Sequence, residues 1–135
     1  MGEFELRWRQ RFREYAHHEG DAAIAGWSST GLGVRLRHFR RRWRPECSGQ
    51  AWLDVGCGAG TYTAYLEEHN KRVLGLDYSL PSLKKARQRY AASRGWVAAD
   101  VTALPLARDS ADGALCFGVL QAVGESAGPV REIRR

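Results

Sequence analysis

An apolar run, Ala51-Trp52-Leu53-Asp54-Val55, breaks into Gly56-Cys57-Gly58-Ala59-Gly60 and then into a helix-forming stretch that opens at Thr61. This order constrains the fold more than any other feature. Alternate glycines let the backbone bend sharply and let a ligand come close. The free N–H groups at the following helix start favour a negative group such as a carboxylate or phosphate. Two more apolar runs follow, and each ends in an acid: Arg72-Val73-Leu74-Gly75-Leu76 before Asp77, and Trp96-Val97-Ala98-Ala99 before Asp100. Gly113-Ala114-Leu115-Cys116-Phe117 forms a fourth. Helices are expected between them, over Thr61 to Asn70, over Leu80 to Ser93, and from Gly128-Pro129 onward. Ser79 and Ser82 are candidate caps for the second, and Pro81 suits its first turn. Strands alternating with helices predict parallel pairing and right-handed crossovers. Strands buried on both faces read as continuous apolar runs, as these do. The expected fold class is α/β: a Rossmann-like open parallel sheet with flanking helices.

The chain has 135 residues, enough for one domain with its own core. Hydrophobic residues at 44% and charged residues at 27% exclude a disordered chain. No apolar run reaches transmembrane length, and the charged start lacks a secretory h-region. Cys47, Cys57 and Cys116 are odd in number and form no CxxC pair. They read as reduced structural thiols, with no disulfide frame and no metal site, which suits a cytoplasmic protein off the membrane.

The formal charge of +6 is uneven. Residues 1–49 carry ten Arg against six acids, whereas residues 50–130 are balanced at eight of each. The division expected is an N-terminal helical basic extension over 1–49 and a ligand-binding Rossmann-like domain over 50–135. In the extension, Phe4, Trp8, Phe12 and Tyr15 form one face of an amphipathic helix ended by Gly20. This aromatic stripe either packs on the domain or lies over its ligand as a lid. Gly26 to Gly33 reads as a loop, and Val34 to Trp43 as a second helix stopped by Pro45. Arg35, Arg37, Arg40, Arg41, Arg42 and Arg44 read as the solvated face of that helix rather than a nucleic-acid surface. His17-His18-Glu19 with Asp21 fits no standard metal spacing and reads as a solvated helix end.

Ligands of such sheets bind beyond the carboxyl ends of the strands, at the switch point. There the glycine turn, Asp77 and Asp100 would meet. A carboxylate at Asp77 can accept both hydroxyls of a ribose, and one at Asp100 can accept from an exocyclic amine such as that of adenine. A nicotinamide fingerprint needs G-x-G-x-x-G, but here the third glycine comes one residue early. No G-K-[ST] follows, which excludes a P-loop.

Leu53-Asp54-Val55-Gly56-Cys57-Gly58-Ala59-Gly60-Thr61 resembles the first motif of class I S-adenosylmethionine-dependent methyltransferases. Val73-Leu74-Gly75-Leu76-Asp77-Tyr78-Ser79 resembles their second-strand motif. Ala99-Asp100-Val101 with Leu104-Pro105-Leu106 resembles the approach to strand four, and Asp112-Gly113-Ala114-Leu115 its start. The closest flavour is the type-11-like branch that acts on small molecules. The resemblance covers about residues 45 to 135. It implies that Gly56, Gly58 and Gly60 cradle the methionine part of S-adenosylmethionine, with Asp54 supporting the turn and the amino group. It implies Asp77 at the ribose, Asp100 at the adenine amine and Val101 beside the ring. Cys57 and Tyr78 join the cofactor-binding set, and Phe117 with Gly118 would stand near the methyl group and acceptor. It implies methyl transfer to a small-molecule acceptor and names no catalytic base.

This sequence departs from the family at Ala111, where relatives usually carry an aromatic residue, and at Gln121, where many carry Glu or His. No [DN]-P-P-[YF] run follows strand four, which argues against modification of base amines or glutamine amides. The family sheet has seven strands, and four are found here. The expectation is a fragment or shortened frame of a longer enzyme, or a dimer or partner covering the strand-four edge. The competing reading is an inactive remnant or interaction module that contacts RNA or an acidic partner through its arginines.

Overall fold

The computed structural model describes residues 1–91 and 95–135, together with every side chain in those ranges except that of Cys47. The reading of Cys47 as a structural thiol and the expected end of a helix at Ser93 therefore lie outside the described residues. Three N-terminal helices, α1 (Glu3–Tyr15), α2 (Asp21–Ile24) and α3 (Ser29–Arg42), precede the sheet. Then come β1 (Ala51–Val55), α4 (Thr61–Glu68), β2 (Arg72–Asp77), α5 (Leu80–Arg89), β3 (Trp96–Ala98), β4 (Gly113–Leu115) and α6 (Ala127–Arg134). The described strands form one wholly parallel sheet in the order β3-β2-β1-β4. The α/β Rossmann-like expectation holds.

Both faces of this sheet are covered. Trp52, Tyr62, Leu66, Val73 and Leu115 form the core of one face, closed by Leu32, Leu36, Phe39 and Trp43 of the α3 region. Val55, Leu76 and Leu104 form the core of the other, with Leu53, Leu74, Val97 and Ile133 against them. Alternate residues of β1 thus go to opposite cores, which is why its sequence reads as an unbroken apolar run. Lys71 is buried at the start of β2, and its ammonium donates to the Pro45 and Gly49 carbonyls. Asp112 does the matching work at β4. One of its oxygens accepts from the backbone N–H of Gln50 and Ala51, each at 2.8 Å, fixing the β1–β4 register.

The differences from expectation lie mostly before residue 50. The first helix ends at Tyr15, and Gly20 instead caps the start of α2. Gly31 and Gly33 are helical rather than loop, because the Ser28 hydroxyl accepts from the Gly31 N–H and starts α3 five residues early. Pro45 opens a short 3-10 turn after α3 ends at Arg42. β3 and β4 are shorter than their apolar runs: Ala99 and Cys116-Phe117 belong to the turns beyond them.

The turn after β1 needs its glycines. Gly56, Gly58 and Gly60 have φ of 77°, 52° and 91°. A Cβ on Gly56 would come within 2.0 Å of the Val119 side chain. Gly56→Ala is therefore expected to lower stability by about 2–4 kcal/mol, combining overpacking with left-handed strain. Gly33→Ala, inside α3 with only Arg37 nearby at 3.8 Å, is expected to gain up to about 1 kcal/mol. Urea unfolding of both variants tests this pair of opposite signs. Equal shifts in one direction would contradict it.

Candidate functional site

The carboxyl ends of β1, β2, β3 and β4 open on a single cavity of about 380 Å³, within the usual range for small-ligand sites. Asp54, Gly56, Cys57, Gly58, Asp77, Tyr78, Asp100, Val101 and Phe117 all line it. Gly60 is not on the wall. It sits behind the turn as the left-handed N-cap of α4, pressed toward Trp96 and Tyr90.

Asp77 is the hub. One carboxylate oxygen accepts from the Gly58 N–H at 2.8 Å, and the other from the Ser79 N–H at 2.8 Å. It therefore ties the β1 turn to the end of β2. Burial raises its pKa, against the backbone hydrogen bonds that favour its charge. Asp54 is deeper, 2% exposed, and accepts from the Thr63 hydroxyl at 2.8 Å. Burial pushes its carboxyl up to about 6, with Thr63 opposing and the Asp77 charge adding. Burial also pushes the Cys57 thiol well up, so it is an inert wall rather than a nucleophile.

Asp100 is more open. Although partial burial works against its charge, hydrogen bonds from the Thr102 N–H and hydroxyl and from Arg9 leave its pKa lowered. Its second oxygen is ion-paired with Arg9, a residue that sequence reasoning did not select. Arg9 also lies over the Tyr78 ring at 5.1 Å, and Phe12 meets the same ring edge-on at 6.4 Å. The Glu5 carboxylate accepts from the Gly124 N–H at 3.1 Å. Trp8, Arg9 and Phe12 thus turn the stripe of α1 toward the cavity, where it forms one wall. The stripe itself was the readable signal; Arg9 flanks it by one position. Thr63 was also missed, and its signal was a polar residue beside Tyr62 on the inward face of α4.

The residues present fit a ligand close to the turn. A Cβ built on Gly58 meets no atom within 4 Å, so open space faces that backbone. Among the described residues no cluster of three metal-ligating side chains occurs, and no helix is long and apolar enough to cross a membrane.

The pattern of the methyltransferase-domain family matches residues 53–135, more than half of the chain. A malonyl-[acyl-carrier protein] O-methyltransferase of Pseudescherichia vulneris is 47% identical over 55 residues, 41% of this chain and 22% of that protein. A demethylmenaquinone methyltransferase of Corynebacterium kroppenstedtii is 35% identical over 105 residues, 78% of this chain and 44% of that protein. The magnesium protoporphyrin IX methyltransferase of Synechocystis, solved with S-adenosylmethionine bound, superposes with a TM-score of 0.68. At 16% identity, over 98% of this chain and 71% of that one, the likeness is one of fold. The chain spans less than half the length of the two curated relatives. It belongs to the methyltransferase-domain family.

The Asp54 environment gives a testable pH dependence. Its folded pKa of about 6 stands above the ordinary aspartate value of 3.8. Between these values the folded state holds a proton that the unfolded state has lost, so this contribution to stability is complete at low pH and disappears as pH rises through 6. At neutral pH the ionised group costs on the order of 3 kcal/mol relative to low pH. Asp54→Asn, which keeps an oxygen for Thr63, is expected to gain in melting temperature relative to wild type between pH 4 and pH 7. A difference that is the same at both pH values would contradict the assignment.

Proposed function

We propose, with membership of the methyltransferase-domain family as premise, that this chain binds S-adenosylmethionine in the cavity and contributes to methyl transfer to a small acceptor. One observation carries the reading: the glycine turn, Asp77 and Asp100 stand in that order at the ends of β1, β2 and β3 around one cavity. When bound, S-adenosylmethionine supplies a methyl group activated on a sulfonium. The chain's own groups would hold it. The Gly56–Gly58 backbone would take the methionine part, with Asp54 facing its ammonium. Asp77 has its inner lone pairs committed to Gly58 and Ser79, so the remaining acceptor capacity of its carboxylate would take the ribose hydroxyls. Asp100 and Val101 would take the adenine edge and face, while Cys57 and Tyr78 close the walls. Phe117 would border the methyl group and the acceptor.

What remains for the protein is alignment and exclusion of water. In-line positioning of two bound reactants supplies roughly 7–11 kcal/mol of a barrier. The N-terminal segment over residues 1–49 serves that purpose in this reading, with α1 as a lid over the domain of residues 50–135. A carboxylate oxygen on an acyl chain, which becomes a neutral ester when it takes the methyl group and needs no base, would suit an acceptor side walled by Trp8, Trp27 and Phe117. The relatives' names include a malonyl-[acyl-carrier protein] and a demethylmenaquinone enzyme. Activity in the cytoplasm suits such acceptors.

Titration calorimetry with S-adenosylhomocysteine tests the reading, and one-to-one binding by the folded chain is expected. No heat from a folded sample would overturn it. Gly58→Ala should weaken that binding at least about tenfold, because its methyl group would occupy the open space at the turn, yet cost only about 1–2 kcal/mol of stability. Unchanged affinity would remove the turn from the site. The lid makes a separate claim. S-adenosylhomocysteine should slow amide hydrogen exchange across Glu3–Tyr15, and protection confined to the turns of the sheet would contradict it.

A further inference from the structure

Asp100, just beyond β3, has one oxygen already committed. Its Oδ1 accepts from the Thr102 N–H at 2.9 Å and from the Thr102 hydroxyl at 2.7 Å. Two hydrogen bonds fill a carboxylate oxygen, so Oδ2 is the one left for a ligand donor. That oxygen is held by the Arg9 guanidinium of α1. Arg9 and Asp100 both line the cavity, and their side chains are 28% and 33% exposed. The pair is thus open to a ligand rather than sealed in the core.

The guanidinium has a second place to rest. It lies over the Tyr78 ring, 5.1 Å from the centroid, where the negative face of the ring attracts a cation. Other contacts hold the helix. Phe12 meets Tyr78 edge-on at 6.4 Å, and the Glu5 carboxylate accepts from the Gly124 N–H at 3.1 Å. Arg9 can therefore leave Asp100 by a change of side chain alone, while α1 stays over the cavity. A charged guanidinium is a stronger partner for a carboxylate than a neutral amine N–H is. A ligand that donates to Asp100 must draw Arg9 off Oδ2 or share that oxygen with it. In either case it meets a competitor tethered to the protein.

We infer that Arg9 is a specificity-determining residue of the cavity, a tethered competitor that occupies Asp100 until the amine of a bound base displaces it. It lowers the affinity for a base with an exocyclic 6-amine. It spares a 6-oxo base, which has no such amine to offer and can accept from the guanidinium. This rests on the cofactor reading above, in which Asp100 takes the adenine amine.

The test measures two ligands on two proteins by titration calorimetry. S-adenosylhomocysteine carries the exocyclic amine, and S-inosylhomocysteine carries an oxygen in its place. Arg9→Met keeps a flexible stem beside Tyr78 and removes the charge. The variant should bind S-adenosylhomocysteine about fivefold more tightly than wild type does, the scale of a partly exposed ion pair. It should bind S-inosylhomocysteine no more tightly. The gain for S-adenosylhomocysteine should shrink as salt rises, because screening weakens the ion pair of the wild type. Unchanged or weaker binding of S-adenosylhomocysteine, equal gains for both ligands, or a gain that salt does not alter would overturn the inference while leaving the cofactor reading intact. Binding of neither ligand by either protein would overturn both.

Discussion

The buried carboxylate of Asp77 is the constraint on which the rest of the site depends. It accepts from the N–H of Gly58 on one oxygen and from that of Ser79 on the other. The first bond holds a turn whose three glycines all have positive φ. The second fixes the exit from β2, where the Ser79 side chain then caps α5. The backbone N–H groups of Gly56 and Cys57 complete the tie by donating to the Leu76 carbonyl at 2.7 and 3.0 Å. Two adjacent strand ends are thereby locked together, and the open space before Gly58 follows from that lock.

The electrostatics run against the chain as a whole. A protein of formal charge +6 gathers Asp54, Asp77, Asp100, Glu5 and Asp21 around one cavity, with Arg9 the single basic side chain lining it among the described residues. Two of these acids, Asp54 and Asp77, are buried with raised pKa. Ionising them inside the fold is unfavourable, and a cationic ligand offsets that cost on binding. Arg9 does the same for Asp100 from α1. In the proposed reading a ligand amine would address the same carboxylate as Arg9 of the N-terminal helix, and occupancy of the cavity would then bear on the position of α1.

The sheet was legible in the sequence because its signals are local. Ala51–Val55 is apolar throughout, Gly56–Gly60 can only be a turn, and Asp77 and Asp100 mark the ends of the next runs. What was not legible depends on contacts between distant segments. Arg9 is one of four alternating arginines in α1, and nothing local distinguishes it from Arg7 or Arg11; only the packing of Phe12 on Tyr78 brings it to Asp100. Tyr62 reads as core from its helical spacing, and it is core. That its hydroxyl meets no hydrogen-bond partner among the described residues emerges only when Phe39 and Phe117 pack on the ring. Gly31 and Gly33 read as loop because glycine is a poor helix former, but the Ser28 cap and the burial of Leu32 and Leu36 against the sheet override that preference.

In the proposed reading four strand ends build one ligand site. Amide chemical-shift mapping by NMR with S-adenosylhomocysteine addresses it most directly. The largest shifts are expected in Gly56–Gly58, Asp77–Ser79, Asp100–Thr102 and Phe117–Val119 together, saturating with one affinity. Shifts confined to the arginines of α3, or to one of these turns without the others, would contradict it.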